Sequence, residues 1–408
     1  MTGRPTNWAG NVRFAAASRH RPASVPELQA LVARADRVRA VGGGHSFSDV
    51  ADTSGSLVST LSLPPVLDLD TERASVRVAA GVTYTDLARY LDQRGFALRT
   101  LASLPHLTVG GACATGTHGS GVATGSLATA VTGMELVTAG GDLVTLTEPG
   151  AVVHLGALGV VTSLTLELVP AYEVRQWVLD DLPLAALDEH LDAVLAAAYS
   201  VSVFTDWQPD RRGQVWLKQR VGDPPPPDLP ATPADGPRHP VGGMPTGNCT
   251  VQLGVPGPWY DRLPHFRADA PPSSSGAELQ SEYLVGRAGA VGALHALAEV
   301  ADRVAPVLQT CEIRAVAADE LWLSPFHRRD SVGLHFTWVP DLAAVLPVIG
   351  LVERQLAPYR PRPHWGKIFT VDPAAVRAAY PRLADFRALV ARYDPDGKFG
   401  NGFTGRYL

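Results

Sequence analysis

The alternation of hydrophobic and polar positions predicts short strands in the first third of the chain. Five runs are rich in β-branched residues and end at Gly, Asp or Pro, as strands do before turns. These runs are 37–41, 75–80, 134–139, 142–146 and 161–169. Two segments with apolar residues at helical spacing, 24–35 and 83–95, lie among them. The pattern therefore predicts an α+β or α/β arrangement and excludes an all-helical fold.

The pattern changes after Pro170. Two alanine-rich segments with helical spacing, 184–199 and 287–305, lie among several alternating runs. Those runs are 214–220, 278–284, 310–316 and 333–339. Their alternation predicts antiparallel strands with one buried face. The proline-rich stretch 222–245 predicts a long surface loop, because proline cannot continue a regular element.

Chain length sets the expected number of domains. The 408 residues are too many for one ordinary core, and 46% hydrophobic residues are enough to bury a large one. A helix is predicted at 373–393, in a C-terminal tail too short to form a domain alone. We therefore expect the tail to pack onto the first domain and the central region to be an insertion.

Charge and cysteine content exclude several classes of protein. The net charge is −5 and long basic runs are absent, so a nucleic-acid partner is not expected. The sequence has no signal-like start and no apolar run long enough to span a membrane. The three cysteines, Cys113, Cys249 and Cys311, fit neither a disulfide framework nor a metal site. The sequence thus predicts a reduced, cytoplasmic protein with no metal centre and no membrane partner.

Two glycine-rich loops suggest an anion site in the first domain. The first, VGGGHSFSD at 41–49, follows a predicted strand, and the second is TVGGACATGTHGSG at 108–121. Neither has the G-x-G-x-x-G spacing of nicotinamide-binding folds or the pattern of a P-loop ATPase. Bare backbone N–H groups in such turns bind anions, typically a pyrophosphate, and glycine allows a flat ligand to approach. Two tight turns without a ligand are the alternative.

Each glycine loop carries one histidine, His45 or His118. No third ligand lies at short spacing, so the pair does not indicate a metal. A neutral imidazole in a bare loop is a fair nucleophile, with room for an electrophile to approach. His45 is therefore a candidate covalent tether, and a hydrogen-bonded structural histidine is the alternative.

Three predicted strands of the central region each present a polar pair on one face, because residues two apart share a face. The pairs are Gln280 with Glu282, Glu312 with Arg314, and His335 with Thr337. A solvent-facing surface would explain them simply. Side chains of this kind, rich in donors and acceptors, also suit a substrate with several hydroxyls.

The segment HWGK, 364–367, follows the stiff PRP. Lys367 is a surface charge by default. In a closed site near Arg314 its pKa would fall, because burial and a like charge both disfavour the ammonium. Two such cations would stabilise a developing alkoxide.

Several segments together resemble the vanillyl-alcohol-oxidase-type flavoproteins, and above all their alditol-oxidising members. These segments are GGGHSFSD, ASLPHLTVGGACATGTHGSG, GALGVVTSLTLEL, TCEIR and RPHWGKIF. The resemblance covers nearly the whole chain and implies an α+β fold of two domains. An FAD-binding domain would come from both chain ends, 1–172 and 367–408. A cap domain, 173–366, would hold an antiparallel sheet flanked by helices.

The resemblance also implies a reaction. FAD would be attached covalently through His45. The terminal primary alcohol of an alditol, such as xylitol, sorbitol or glycerol, would be oxidised to the aldose, with O2 reduced to hydrogen peroxide. A sugar-lactone oxidase or dehydrogenase of the same family is the alternative, and a carbohydrate-binding protein without a cofactor is a third hypothesis. The polyol and O2 would be the only partners, and the protein is expected to be a monomer.

The resemblance assigns residues as well. Lys367 and Arg314 would stabilise the reacting oxygen, with His335 considered as the proton acceptor. The substrate-binding set is Ser103, Gln280, Glu312, Arg314, Thr337 and Lys367. The cofactor-binding set is Gly42, Gly43, Gly44, His45, Ser46, Phe47, Ser103, Thr108, Gly111, Thr115, Gly116, Thr117, His118, Val161 and His364. One segment, 148–156, is shorter than in the family, and we expect this to affect cofactor seating or loop stability.

Overall fold

The structure, a computed structural model, describes residues 6–208, 212–270 and 277–408. The strands in these ranges are β1 Ser18–His20, β2 Val38–Val41, β3 Ser56–Ser59, β4 Leu67–Asp70, β5 Ser75–Ala79, β6 Phe96–Ala97, β7 Val131–Val137, β8 Leu143–Leu146, β9 Val160–Glu167, β10 Val169–Pro170, β11 Glu173–Pro183, β12 Ser200–Thr205, β13 Arg212–Arg220, β14 Thr232–Pro233, β15 Gly257–Pro258, β16 Leu279–Gly286, β17 Leu308–Val316, β18 Ser331–Trp338 and β19 Arg362–Pro363. The α-helices are α1 Val25–Arg34, α2 Tyr84–Asp92, α3 Val109–Ala114, α4 Ala186–Leu195, α5 Ala290–Ala298, α6 Ala301–Val304, α7 Leu342–Leu356, α8 Pro373–Ala378, α9 Leu383–Tyr393 and α10 Gly402–Tyr407.

The N-terminal domain is built on two sheets. Five antiparallel strands run in the order β4-β5-β9-β7-β8, and three parallel strands run in the order β1-β3-β2. Helices α2 and α3 bury their apolar side chains against the larger sheet. Helix α1 begins at Ser24, whose side chain accepts the N–H of Glu27, and Pro26 stands early in the helix, where no N–H is needed.

The elements predicted in the first third are present. The five strands and the two helices lie within three residues of their predicted bounds. The sequence analysis did not predict the short strands β1, β3, β4 and β6 or the helix α3, which starts inside the second glycine loop. Short elements carry too few periodic positions to stand out in a single sequence.

The central domain is built on a nine-stranded antiparallel sheet. Its main path is β14-β11-β13-β12-β17-β18-β16-β19, with β15 also paired to β11. The four predicted alternating runs are confirmed as β13, β16, β17 and β18. One face of this sheet is apolar and packs against α4, α5 and α7. It includes Cys311, Ile313 and Phe336, as the predicted alternation required.

Two predicted helices are each divided in the structure. The segment 373–393 forms two helices, α8 and α9, with Pro381 between them. Proline lacks the N–H that a continuous helix needs and disfavours helical geometry at Tyr380 before it. The predicted helix 287–305 is likewise divided into α5 and α6. The proline-rich loop is irregular, as predicted, except for β14.

The C-terminal tail contacts the N-terminal domain. The N–H of Val38 donates to the carbonyl of Lys398 over 3.0 Å. The Asn401 side chain caps α10 and also donates to the carbonyl of Asp52 over 2.8 Å. The buried guanidinium of Arg39 donates to the carbonyls of Phe399, Leu155 and Val50. Arg39 thus joins the tail to the strand that leads into the first glycine loop.

In the ranges that the structure describes, no helix is both long and apolar enough to cross a membrane.

Replacing Arg39 with Met should leave the buried carbonyls of Phe399 and Leu155 without a donor, while that of Val50 still accepts from Asn401 Nδ2 at 3.1 Å. We expect the free energy of unfolding to fall by about 2–4 kcal/mol, since each unsatisfied buried group costs about 1–3 kcal/mol. Chemical denaturation of the purified protein measures this. Arg73→Met is the matched control, because that side chain is 84% exposed. Equal stability of the two variants would contradict the linking role of Arg39.

Candidate active site

A cleft runs between the two glycine loops and the polar face of the nine-stranded sheet. The residues predicted from the sequence that line it are Gly42, Gly43, Gly44, His45, Ser46, Phe47, Ser103, Thr108, Gly111, Thr115, Thr117, His118, Val161, Gln280, Glu312, Arg314, His335, Thr337, His364 and Lys367. Gly116 is the predicted residue that does not line the cleft. Its φ is +67°, and a Cβ there would lie 3.0 Å from Pro325, so it serves the turn.

Glycine lets the two loops pack closely. A Cβ on Gly42 would lie 2.1 Å from Thr108 Oγ1, and one on Gly111 would lie 2.9 Å from the same atom. Gly44 has a φ of +69°, which favours glycine. Within the described part of the chain, the backbone N–H groups of Gly43, Gly44 and His45 donate no hydrogen bond. They remain available to an anion.

His45 stands at the end of this loop with its ring 5.4 Å from that of Trp8. Its Nδ1 is buried and has no hydrogen-bond partner among the described residues. Burial lowers the pKa of His45 to about 4, and the nearby His106 and Lys367 act in the same direction. The imidazole is therefore neutral near pH 7, with a lone pair free to act as a nucleophile.

These features fit the diphosphate and ring of a flavin dinucleotide. The free N–H groups suit the diphosphate, the glycines leave room for a flat ligand, and the unpartnered His45 Nδ1 suits a bond to the ring. The segments that would hold FAD are 42–47 and 108–118, with Val161 and His364.

The opposite wall is set by strand register. Antiparallel partners point to the same face, so three rows of neighbours cross β16, β18 and β17. The rows are Gln280–Thr337–Thr310, Glu282–His335–Glu312 and Leu284–Gly333–Arg314. The polar pairs predicted from the sequence do share a face, and it is buried in the cleft rather than exposed to solvent.

Gly333 makes space for the central ion pair of this wall. Arg314 reaches across it, and its Nη2 and Nε lie 2.8 and 3.3 Å from Glu282 Oε1. A Cβ on Gly333 would lie 3.1 Å from the same oxygen. Burial alone would raise the pKa of Glu282, but Arg314 and His118 outweigh it and hold that pKa well below its usual range.

His118 connects the second glycine loop to this ion pair. Its Nδ1 lies 2.8 Å from the carbonyl of Gly119, and its Nε2 lies 3.2 Å from Glu282 Oε1. His118, Glu282 and His364 each offer one ligand atom within 4.8 Å of the others. The Arg314 guanidinium is already bound to Glu282, and this positive charge opposes a metal cation. The group is better described as an ion-paired network.

Glu312 is held from several sides. Oε1 accepts the Ser202 hydroxyl at 2.7 Å and lies 3.1 Å from His265 Nε2. Oε2 lies 3.5 Å from Arg314 Nη1, which also donates to Ser103 Oγ at 3.3 Å. Burial favours the neutral acid, yet Arg314 and His265 keep the pKa of Glu312 far below its usual range.

Lys367 and His335 meet at Gln280. The Lys367 ammonium donates to Gln280 Oε1 and lies 5.1 Å from the centre of the Phe47 ring, and His335 Nε2 is 3.2 Å from the same oxygen. Burial lowers the pKa of Lys367 to about 8; Glu282 opposes this shift and Arg314 adds to it. Burial also lowers the pKa of His335 to about 3. The cationic Lys367 and the neutral imidazole of His335 are therefore linked through the Gln280 side chain.

The shortened segment 148–156 is packed into the structure. Its residues 150–155 are buried, and the N–H of Leu155 donates to the carbonyl of Ala114 over 3.0 Å. Leu155 has a φ of +53°, which is unusual for a residue with a side chain. His154 lines the cleft beside it. This segment therefore helps to shape the wall near the second glycine loop.

Sequence reasoning missed several cleft residues. Trp8 and His265 line the cleft, and Lys218 and Ser202 stand behind Glu312. The one sequence signal was Lys218, a charge within an otherwise buried run of β13. Glu282 was recognised as sharing a face with Gln280, but its link to Arg314 depends on pairing between distant strands.

Comparisons with known proteins agree with this geometry. Residues 17–147 match the family described as FAD binding domain, and residues 278–407 match D-arabinono-1,4-lactone oxidase. The chain is 55% identical to an alditol oxidase of Streptomyces sp., covering 99% of this chain and 98% of that protein. It is 30% identical to an L-gulono-1,4-lactone dehydrogenase of Mycobacterium tuberculosis, with coverage of 99% and 98%.

The fold is also found in solved structures. A solvent-stable cholesterol oxidase superposes with a TM-score of 0.81 at 16% identity, covering 98% of this chain and 96% of the other. The fold and cleft define a two-domain FAD-binding oxidoreductase with an α+β architecture. The chain belongs to the vanillyl-alcohol-oxidase-type flavoprotein family, in the group that contains the Streptomyces alditol oxidase.

Acid should destabilise the protein partly through His335. Its pKa is lowered from 6.5 to about 3, so the unfolded chain binds a proton that the folded chain rejects as the pH falls below 6.5. His335→Gln removes this loss. We expect the wild type to lose about 2 kcal/mol more unfolding free energy than the variant between pH 7 and pH 5.

Denaturant titrations at both pH values measure this difference. The exposed His190→Gln variant is the matched control and should behave as the wild type. Parallel losses in wild type and His335→Gln would show that the buried imidazole does not resist protonation.

Proposed function

We propose that the protein oxidises the terminal primary alcohol of an alditol, such as xylitol or sorbitol, to the aldose. One observation carries this proposal: Ser103, Glu312, Arg314 and Lys367 converge on one cleft opposite the glycine loops. A hydroxyl, a carboxylate and two cations suit a ligand with several hydroxyls. The name of the Streptomyces relative points to the same substrate class.

FAD supplies the redox chemistry when it is bound: it takes a hydride from carbon and passes the electrons to O2, which becomes hydrogen peroxide. The two glycine loops would hold it through backbone N–H groups. His45 is its proposed covalent attachment point. The neutral ring and the unpartnered, buried Nδ1 support that role.

The chain's own residues position the substrate and handle its proton. Lys367 and Arg314 hold the reacting oxygen and stabilise the negative charge that develops as its proton leaves. Glu312, Ser103 and Thr337 hold the remaining hydroxyls and fix their orientation. The low pKa of His335 keeps the ring neutral and makes it a weak base, so we propose that it accepts the proton only as the hydride leaves, when the substrate hydroxyl becomes strongly acidic.

A sugar lactone is the second candidate substrate. The match of residues 278–407 to D-arabinono-1,4-lactone oxidase favours it. The cleft favours the alditol, because Glu312 offers acceptor oxygens that suit hydroxyl donors. A sugar lactone also has hydroxyl donors, but its carbonyl and ring oxygens can only accept, so it presents fewer donors to this carboxylate than an alditol does.

Peroxide release distinguishes these substrates. Purified protein supplied with FAD is assayed with xylitol, sorbitol, glycerol and L-gulono-1,4-lactone. We expect kcat/KM for xylitol or sorbitol to exceed that for the lactone by at least about 10-fold, which corresponds to one charged hydrogen bond of about 1.5–3 kcal/mol. Turnover of the lactone alone would overturn the alditol assignment.

Lys367→Met tests the proposed role of the ammonium in the same assay. It removes the ammonium that donates to Gln280 and leaves both glycine loops intact. We expect turnover to fall by at least about 100-fold while the visible flavin absorbance per chain is retained. Unchanged turnover would remove Lys367 from the mechanism.

His45→Ala tests the proposed attachment. Wild-type protein precipitated with acid should keep its yellow colour in the pellet, and the variant should release its flavin into the supernatant. His106→Ala is the matched control, because that imidazole lies near His45 but belongs to the segment that precedes α3. Flavin that stays with the denatured His45→Ala chain would place the bond elsewhere.

A further inference from the structure

We propose that Lys218 and His265 are positioning residues that fix Glu312 as an acceptor, so that the pocket selects substrates that donate a hydroxyl there. The inference rests on the proposed alditol oxidation and goes beyond it. It identifies which protein groups set the preference for a hydroxyl at one position of the substrate. Neither residue touches the reacting atoms.

Lys218 lies on β13 and is almost fully buried, with 1% of its surface exposed. Its Nζ donates to the carbonyls of Leu263 and Pro264 and contacts His265 Nδ1 at 3.0 Å. An ammonium has three N–H donors and no acceptor. The three neighbours therefore use all of its hydrogens, and His265 Nδ1 must be an acceptor.

This assignment determines the tautomer of His265. If Nδ1 carries a lone pair, the proton of a neutral ring lies on Nε2. Nε2 is 3.1 Å from Glu312 Oε1 and donates to it. The centres of the Phe204 and Trp216 rings each lie 5.3 Å from the centre of the imidazole, and both rings pack against it in T-shaped contacts. A buried chain of hydrogen bonds thus runs from Lys218 through His265 to the Glu312 carboxylate.

These hydrogen bonds occupy Oε1 of Glu312 and leave Oε2 available to the substrate. Oε1 receives both the His265 Nε2–H and the Ser202 hydroxyl. Oε2 has the Arg314 guanidinium at 3.5 Å, and Glu312 lines the cleft. An ionised carboxylate can only accept hydrogen bonds. A substrate hydroxyl can donate to Oε2, whereas a carbonyl, a carboxylate or a missing hydroxyl cannot.

The charges around this hydrogen-bond chain favour the same state below pH 7, because burial lowers the pKa of Lys218 to about 7 and Glu312 opposes that shift. Lys218 faces Glu312 and the Cys249 thiol, His265 faces Lys218, Glu312 and Arg314, and Glu312 also faces His335. Burial lowers the pKa of His265 to about 4, and Lys218 adds to this shift against the opposing effect of Glu312. The ring is therefore neutral near pH 7, as the donor and acceptor pattern requires.

The tautomer can be observed directly by 15N NMR of histidine-labelled holoenzyme at pH 6, with the His265 signal assigned from its loss in His265→Gln. We expect an Nε2–H ring in the wild type. In Lys218→Met the ring should keep Nε2–H, because Glu312 still accepts it, but should take up its second proton at a higher pH, because the neighbouring cation is gone. An Nδ1–H ring in the wild type, or a His265 that titrates at the same pH in both proteins, would overturn the proposal. This readout does not depend on turnover.

Kinetics test the consequence for selectivity. His265→Leu removes the donor to Glu312, and His265→Gln keeps an N–H at the matching position. We expect His265→Leu to raise the KM for xylitol at least about 10-fold, with kcat changed less than about 3-fold, and His265→Gln to recover most of the loss. Arg220→Met, which removes an exposed cation from the same strand, should change neither constant.

Selectivity is measured with a series of monodeoxy pentitols. The wild type should reject at least one of them strongly, and His265→Leu should reduce that rejection about 10-fold. Equal losses on every substrate, in kcat and KM together, would show a general structural defect and overturn the proposal. A wild type that oxidises no alditol would count against the proposed function, and the NMR result would still decide the positioning claim.

Discussion

The buried ion pair between Arg314 and Glu282 is the interaction on which the cleft depends. Removing two charges from water is costly, so their placement must provide close contact and further partners. The register of β16, β18 and β17 provides the contact, and Gly333 keeps the space between them free. His118, from the second glycine loop, lies against the same carboxylate. One network therefore orders the polar wall of the cleft and connects it to the glycine loops.

Features that depend on local sequence were predicted well. The two glycine-rich loops were recognised from their composition, and the structure adds that Gly42 must be glycine because it approaches Thr108. Strand parity correctly placed Glu312 and Arg314 on one face and Ile313 on the other, since alternation follows from backbone geometry. The resemblance to known flavoproteins added the fold and the cofactor class, which the comparisons support.

Features that depend on distant contacts were missed. Lys218 and His265 are 47 positions apart, and only the folded chain brings them within 3.0 Å. Two elements of the central domain were also not predicted. Strand β12 is buried along its whole length, so it shows no alternation of polar and apolar residues, and α7 contains Pro347, which obscures its helical pattern. Gly116 was assigned to the cofactor site by the resemblance, whereas in the structure it does not line the cleft and its positive φ serves a turn. A single sequence shows which side chains are reactive or polar, and the topology of the fold determines which of them come into contact.

The most direct test of the central claim is the visible absorbance of the bound flavin when substrate is added without oxygen. Arg314 and its ion partner should hold an alditol for hydride transfer, so xylitol or sorbitol should bleach the yellow band of the wild type within a single turnover. Arg314→Met, which removes the guanidinium, should slow the bleaching by at least about 100-fold. Bleaching at the wild-type rate in that variant, or by an aldonolactone and no alditol, would contradict the account.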